Sequence, residues 1–322
     1  MAVQWGILST AHINRKLLAG ARLAAGAEVV AVASRDGALA AAFAREHGIE
    51  RAVAGYDALL ADREIEVVYV PLPNSMHVEW TLRAIAAGKH VLCEKPLTRR
   101  AVEVEQVFDA AERAGVVVME AFMYRHHPQT TRLVELVREG AVGRVAVIRG
   151  QFSYVARDLA NVRLHAGLDG GALMDLGCYC VSHARLIAGE PSLVFAEQVT
   201  GGDGVDVAMA ATMRFAGDVL AHFDVGFEQA ARDELEIAGD EGALFLDDPW
   251  HCVEPVIELR RDDGVERIEV AAANPYTLEV ENMSAAVRGE APALLGRDDA
   301  LGQARVIEAL YSAAATGVAV TV

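Results

Sequence analysis

Along the first 120 or so residues two kinds of segment alternate. Short runs rich in β-branched residues, VQWGIL (3–8), EVVAVAS (28–34), VVYVPL (67–72), HVLCEK (90–95) and GVVVMEA (115–121), are apolar at successive positions rather than at every second one. Such runs suit strands buried on both faces. Between them lie Ala- and Leu-rich stretches, 12–25, 37–47, 56–62, 76–88 and 99–114, with the spacing of helices that cover a sheet. This alternation predicts a parallel sheet, and right-handed crossovers make it a doubly wound α/β, or Rossmann, fold.

After residue 122 the rhythm changes. A helix near 128–140 precedes a strand over 144–155, RVAVIRGQFSYV, and a glycine-led helix spans 170–188. VDVAMAATMRF and DVLAHFDVGFEQ meet at Ala216-Gly217, while PVIELRR and ERIEVAA flank Asp262-Asp263-Gly264, a hairpin signal. Helices over 277–288 and 298–316 close the chain. This half reads as α+β with a mostly antiparallel sheet. The expected division is therefore 1–122 for a dinucleotide-binding domain and 123–322 for a second domain.

Composition narrows the classes. With 322 residues and 53% apolar content the chain can bury a large core, yet it contains no uncharged apolar run long enough for a membrane helix. Its first residues enter a strand pattern with no basic and apolar leader, so a cytoplasmic location is expected. The 29 basic against 46 acidic residues, a net −17, exclude general nucleic-acid binding, which needs a positive surface. Four cysteines, Cys93, Cys178, Cys180 and Cys252, form no Cys-x-x-Cys pair and read as buried thiols rather than a metal or redox site. Only three of the basic residues are lysines, Lys16, Lys89 and Lys95. In so arginine-rich a chain a lysine is a candidate for work that arginine cannot do, such as losing or relaying a proton.

Ligands of doubly wound sheets bind at the carboxyl ends of the strands. There the sequence places Ser9, Thr10, Ala11, His12 and Ile13, then Ser34-Arg35, then Leu72, Pro73, Asn74 and His77, then Glu94-Lys95. The first loop, GILSTAHIN, has Ser9, Ala11 and Asn14 where a dinucleotide loop keeps three glycines. Ser9 and Ala11 are the smallest replacements, the Ser9 and Thr10 hydroxyls offer donors to phosphate, and the following helix N-terminus offers free N–H groups. Asn14 is large for a helix–strand contact. An NAD enzyme carries Asp or Glu at the end of strand two to bind the ribose hydroxyls; here Ser34 and Arg35 stand in that place. A hydroxyl beside a guanidinium suits a 2′-phosphate, which favours NADP(H), although Asp36 follows and offers the ribose a carboxylate.

The motif Val91-Leu92-Cys93-Glu94-Lys95-Pro96-Leu97 resembles the signature of the glucose–fructose oxidoreductase and inositol dehydrogenase family. Pro73-Asn74-Ser75-Met76-His77, Glu120-Ala121-Phe122-Met123-Tyr124-Arg125, Gly170-Gly171-Ala172-Leu173-Met174-Asp175-Leu176-Gly177 and Ala300-Leu301-Gly302-Gln303-Ala304-Arg305 follow that pattern in order, over nearly the whole chain. The Ser-Thr-Ala of the first loop resembles the branch of trans-dihydrodiol dehydrogenases and NADP-dependent D-xylose dehydrogenases. In that family the lysine of Glu-Lys-Pro sits between nicotinamide and substrate, which implies Lys95 as a catalytic residue. The resemblance also implies a C-terminal substrate-binding domain with a large open sheet, a homodimer or higher homo-oligomer through that sheet, and Tyr276 as a tyrosine that closes over the nicotinamide.

Hydride transfer at a carbinol carbon requires a proton to move at its oxygen. On a regular helix Asp175, Tyr179 and His183 are spaced i, i+4, i+8 and form one polar stripe. Many family members have His at the place of Tyr179; the dihydrodiol and xylose branch resembles the Tyr version. Tyr179 is assigned as proton donor or acceptor, assisted by the Lys95 charge, with Asp175 orienting the substrate hydroxyl or the lysine. The plain alternative for Tyr179 is a buried aromatic with a satisfied hydroxyl, and for His183 a core histidine. Tyr124, Arg125, Asn161 and Arg163 are candidates for substrate contact. His126-His127-Pro128 has no ligand partner at metal spacing, so no metal is expected.

The function expected is NADP-dependent hydride transfer between nicotinamide and a carbinol or carbonyl of a sugar or vicinal diol. A keto-sugar reductase of a biosynthetic pathway, a redox-assisted glycosidase on the same fold and a non-catalytic dinucleotide-sensing regulator are the alternatives.

Overall fold

The computed structural model describes residues 2–158 and 160–322, and the counts below are of those. The chain divides into two compact units, one running to Met123 and also holding Asn274–Leu301, the other Tyr124–Ala273 with Gly302–Val322.

In the first unit six strands form a parallel sheet: β1 (Val3–Leu8), β2 (Ala27–Ser34), β3 (Arg51–Ala54), β4 (Val67–Val70), β5 (His90–Glu94) and β6 (Val118–Ala121), in the order 3-2-1-4-5-6. The connections carry α1 (Asn14–Ala21), α2 (Gly37–His47), α3 (Tyr56–Leu60), α4 (Asn74–Ala86) and α5 (Ala101–Ala114). This is the doubly wound arrangement, with its order reversing between β1 and β4. All four residues of β4 are buried, and so are Val91, Leu92 and Cys93 of β5, as continuous apolar runs require. β3 was not foreseen: its four residues alternate between half-buried and exposed, because it is the edge strand and pairs only with β2.

The second unit holds α6 (Pro128–Arg138), β7 (Val145–Val155), α7 (Cys178–Ala188), β8 (Leu193–Thr200), β9 (Asp206–Arg214), β10 (Leu220–Gly226), β11 (Glu228–Gly239), β12 (Ala243–Leu246), β13 (Val256–Arg261) and β14 (Gly264–Glu269). With β15 (Val320–Thr321) these strands make a nine-stranded sheet in the order 14-13-12-11-7-10-9-8-15. Every pair in it is antiparallel except β7 with β10. The expected hairpin closes with Arg261 opposite Gly264.

A division at 122/123 gives the first unit less of the chain than it holds, because α8 (Pro275–Val287) and the start of α9 (Arg297–Thr316) belong with it. Gly20 of α1 makes the docking of α8 possible: a Cβ there would lie 2.6 Å from that of Tyr276. The Thr277 hydroxyl donates to Gly20 O at 3.0 Å, and Trp5 Nε1 of β1 donates to Ser284 Oγ at 3.3 Å. These contacts join residues more than 250 positions apart, which no local pattern reveals.

Candidate active site

The first unit gathers the predicted cofactor residues at the carboxyl ends of its strands. β1 ends at Leu8, and the next residue, Ser9, has φ 93°, a backbone region that residues other than glycine rarely enter. Four hydrogen bonds hold it there. Its N–H donates to Ala33 O at 2.8 Å, its hydroxyl donates to Pro71 O at 3.1 Å and accepts from Ala11 N at 3.2 Å, and its carbonyl accepts from Asn14 Nδ2 at 2.8 Å. The Ser9 hydroxyl proton is therefore committed to Pro71 O, just past β4, and its contribution is to the loop's shape rather than a phosphate contact. No acceptor among the described residues takes the backbone N–H of Thr10, His12 or Ile13. That set of free amides at the start of α1 fits an anionic pyrophosphate.

At the end of β2 one carboxylate oxygen of Asp36 is engaged. Asp36 is the N-cap of α2, its Oδ1 accepting from Ala38 N at 2.8 Å and Leu39 N at 3.4 Å. Its own N–H donates to Ser34 Oγ at 3.2 Å, which leaves the Ser34 hydroxyl proton available. Arg35 is exposed, and Tyr56 of α3 stands beside it: burial pushes that phenol up and the Arg35 guanidinium draws it part of the way back. Ser34 and Arg35 thus present a hydroxyl and a guanidinium, while one oxygen of the carboxylate next to them is engaged with its own helix.

Lys95 lies in the turn that follows β5, with a cis bond to Pro96. Glu94 accepts from the Lys95 N–H at 3.2 Å and from the Tyr69 hydroxyl. His77 of α4 is fully buried, its ring nitrogens 2.9 Å from Pro96 O and 2.8 Å from Leu72 O. It ties the loop after β4 to the Lys95-Pro96 turn, and burial, with the Lys95 charge adding, lowers its pKa. His77 is thus a brace of the turn, set behind it, while Pro73 and Asn74 at the start of α4 stay half-buried. Lys89, another of the three lysines, is structural: its Nζ donates to Asp62 O and Ile65 O at 2.5 and 2.7 Å.

Sequence reasoning missed Glu279. This residue of α8 is buried, and burial, reinforced by the Glu94 charge, pushes its carboxyl well above the usual range. Tyr69, buried against Glu94, is raised in the same way. A glutamate between Leu278 and Val280 was the available signal. Tyr276 lies in the first turn of the same helix and is buried, and Asn274 caps that helix, its Oδ1 accepting from the Tyr276 N–H at 3.0 Å.

In the second unit the predicted polar stripe is not regular. Leu173–Gly177 is a π-helical turn and α7 starts only at Cys178, so Asp175 stands on a wider turn than Tyr179 and His183. Gly171 starts the turn with φ 129°, and a Cβ there would lie 2.1 Å from Asp206 Oδ1. Asp206 in turn accepts from Leu173 N at 2.7 Å and from the Tyr311 hydroxyl at 2.9 Å; burial pushes its carboxyl up to about 6. Such a π turn is a recurrent feature of functional sites.

Asp175 Oδ2 pairs with Arg163 Nε at 2.7 Å and accepts from the Tyr154 hydroxyl at 3.3 Å. The Asp175 charge raises the Arg163 guanidinium further above its ordinary value. Asn161 caps the short turn that carries Arg163, its Oδ1 accepting from Arg163 N at 3.1 Å. Tyr179 is 8% exposed and meets the rings of Phe152, Tyr124 and Trp250 at 5.6, 5.8 and 6.0 Å. Tyr124 and Arg125 both donate to Ser182 Oγ, at 2.7 and 3.2 Å. His183 is a core histidine, accepting at Nδ1 from Trp250 Nε1 at 2.7 Å, and burial pushes its pKa down to about 3.

His127 Nδ1 accepts from Gln129 N at 3.1 Å and so caps α6, with Pro128 in its first turn. All four cysteines are buried and none is in a disulfide. Among the described residues one metal-like cluster occurs, Asp233, Asp248 and His251, with ligand atoms within 4.8 Å. The Asp248 carboxylate there is occupied by the backbone N–H groups of His251, Cys252, Val253 and Glu254. No described helix is long and apolar enough to cross a membrane.

Residues 4–122 match the family model "Oxidoreductase family, NAD-binding Rossmann fold", and residues 130–245 match "GFO/IDH/MocA C-terminal domain". The D-xylose 1-dehydrogenase (NADP(+)) 2 of Haloferax volcanii is 40% identical over 99% of both chains. The trans-1,2-dihydrobenzene-1,2-diol dehydrogenase of Danio rerio is 36% identical over 78% of this chain and 76% of its own. Among solved structures, KijD10, a 3-ketoreductase from Actinomadura kijaniata in complex with NADP and TDP-benzene, superposes with a TM-score of 0.93 at 31% identity, over 97% of this chain and 98% of its own.

Proposed function

The chain belongs to the GFO/IDH/MocA family of oxidoreductases, and from that premise we propose that it transfers a hydride between NADP(H) and a carbinol or carbonyl carbon of a sugar or vicinal diol. The observation that supports the cofactor choice is the pair of donors at the end of β2, the uncommitted Ser34 hydroxyl proton and the exposed Arg35 guanidinium, beside an Asp36 whose Oδ1 is engaged as the cap of α2. A 2′-phosphate accepts from donors, whereas a 2′-hydroxyl needs the carboxylate. Thr10, His12 and Ile13 hold the pyrophosphate through their amides, and Ser34 with Arg35 holds the 2′-phosphate. The nicotinamide, when bound, supplies the hydride acceptor or donor.

The proton is the protein's task. In the oxidising direction Tyr179, acting as its phenolate, takes it from the substrate hydroxyl and becomes the neutral phenol, and the positive charge of Lys95 favours the alkoxide that forms as the hydride leaves. Glu94 and His77 fix the turn that carries Lys95. Asp175, oriented by Arg163 and Tyr154, accepts from a neighbouring substrate hydroxyl. A substrate with adjacent hydroxyls uses both groups, which fits a sugar or diol. This reading includes a homodimer formed through the sheet of the second unit, and a catalytic rather than a sensing role.

The likeness to a 3-ketoreductase favours a second reading, reduction of a keto-sugar with the same residues run in reverse. Incubating the purified chain with aldoses and vicinal diols plus NADP, and separately with keto-sugars plus NADPH, tests both by nicotinamide absorbance. Turnover of an aldose or diol is expected. Turnover of keto-sugars alone selects the second reading, and no turnover in either set contradicts both.

A further inference from the structure

The third glycine of an ordinary dinucleotide loop lets helix and strand approach closely; here that position is Asn14, wholly buried at the first turn of α1. Its side chain is divided. Nδ2 donates to Ser9 O at 2.8 Å, while Oδ1 is buried with no hydrogen-bond partner. A buried acceptor without a partner lowers stability, and an apolar side chain of similar shape avoids that loss. Asparagine is also a poorer helix former than leucine. Stability alone therefore disfavours asparagine at this position, and the single bond it makes ends on the one loop residue with a strained backbone, Ser9.

We propose that Asn14 is a positioning residue for the dinucleotide: its side-chain amide locks the Ser9 carbonyl and so fixes the loop whose free Thr10, His12 and Ile13 N–H groups receive the pyrophosphate. Glycine-rich loops reach that shape because glycine tolerates it. In this chain a serine is held in it by a side chain from the following helix. The proposal rests on the cofactor reading above and adds a residue to it.

Two probes separate this role from mere packing. NADPH uses the loop and the end of β2 together, whereas adenosine 2′-monophosphate carries the 2′-phosphate and no pyrophosphate. Calorimetric titrations of the wild type, Asn14→Leu and Asn14→Ala with each probe, alongside thermal melts, give the result. Asn14→Leu is expected to melt at or above the wild-type temperature yet bind NADPH at least tenfold more weakly, with its affinity for adenosine 2′-monophosphate within twofold. NADPH affinity within twofold of wild type overturns the proposal, and so does equal weakening toward both probes. Failure of the wild type to bind NADPH overturns the cofactor reading itself. Should neither variant fold, the wild-type Asn14 side-chain amide decides by NMR: slow exchange with solvent before NADPH is added is expected, and fast exchange contradicts the lock.

Discussion

Arg163 Nε lies 2.7 Å from Asp175 Oδ2, and that same oxygen accepts from the Tyr154 hydroxyl. One carboxylate oxygen is thereby fixed by two elements of the second unit, a short turn after β7 and β7 itself. Arg163 is half-exposed, so the pair contributes little to folding, about 1 kcal/mol or less. Its proposed value is in aiming Asp175. Arg163→Ala is expected to lower kcat/KM about 10- to 100-fold while the melting temperature stays within about 3 °C. Kinetics and a thermal melt on the same preparation check this; a loss of stability with unchanged kinetics is the contrary result.

In the proposed reading Lys95 acts on the transition state, and the groups proposed to hold the phosphates are others, at the ends of β1 and β2. Lys95→Met is therefore expected to reduce kcat by about 1,000-fold or more, a loss of roughly 4 kcal/mol of transition-state stabilisation, with NADPH affinity changed less than about fivefold. Single-turnover kinetics with a calorimetric titration distinguish this from loss of cofactor.

Asp36 caps α2, whereas its neighbour Arg35 is proposed to hold the 2′-phosphate. Removing the cap by Asp36→Ala is expected to cost about 1 kcal/mol of stability and to leave the preference for NADPH over NADH intact. Arg35→Ala is expected to do the reverse, weakening NADPH about tenfold or more while the melt and NADH binding barely change. If Asp36→Ala instead abolishes NADH binding, the carboxylate reads the ribose after all.

Asp206 gives a pH signature. Its folded pKa is raised from 3.8 to about 6, so between those values the folded chain holds a proton that the unfolded chain has released. Stability from this group is present below pH 3.8 and is lost as pH rises through 6, in all about 3 kcal/mol. Asp206→Asn removes that dependence. Denaturant unfolding at pH 4 and pH 7 is expected to show the wild type losing stability relative to the variant over that interval. Parallel curves contradict the raised carboxyl.

Much of the fold was legible because buried parallel strands are continuous apolar runs, as in VVYV of β4. What escaped has definite causes. β3 is a four-residue edge strand, and β11 carries Arg232, Asp233, Glu234 and Glu236 within a strand, so neither looks like a core run. The return of α8 to the first unit depends on a bare Gly20 more than 250 residues away. At the site, the strand-end positions of Ser34, Arg35 and Lys95 were readable from the doubly wound pattern. The Asp36 cap, the Asn14 lock and the π turn under Asp175 were not, since each depends on which way one side chain or one carbonyl turns.

The most direct test of the whole account is a calorimetric titration of the wild-type chain with NADPH and with NADH. The account predicts saturable binding of NADPH at least tenfold tighter than NADH, with GILSTAHIN serving as a phosphate loop without glycines. Tighter binding of NADH, or of neither nucleotide, contradicts it.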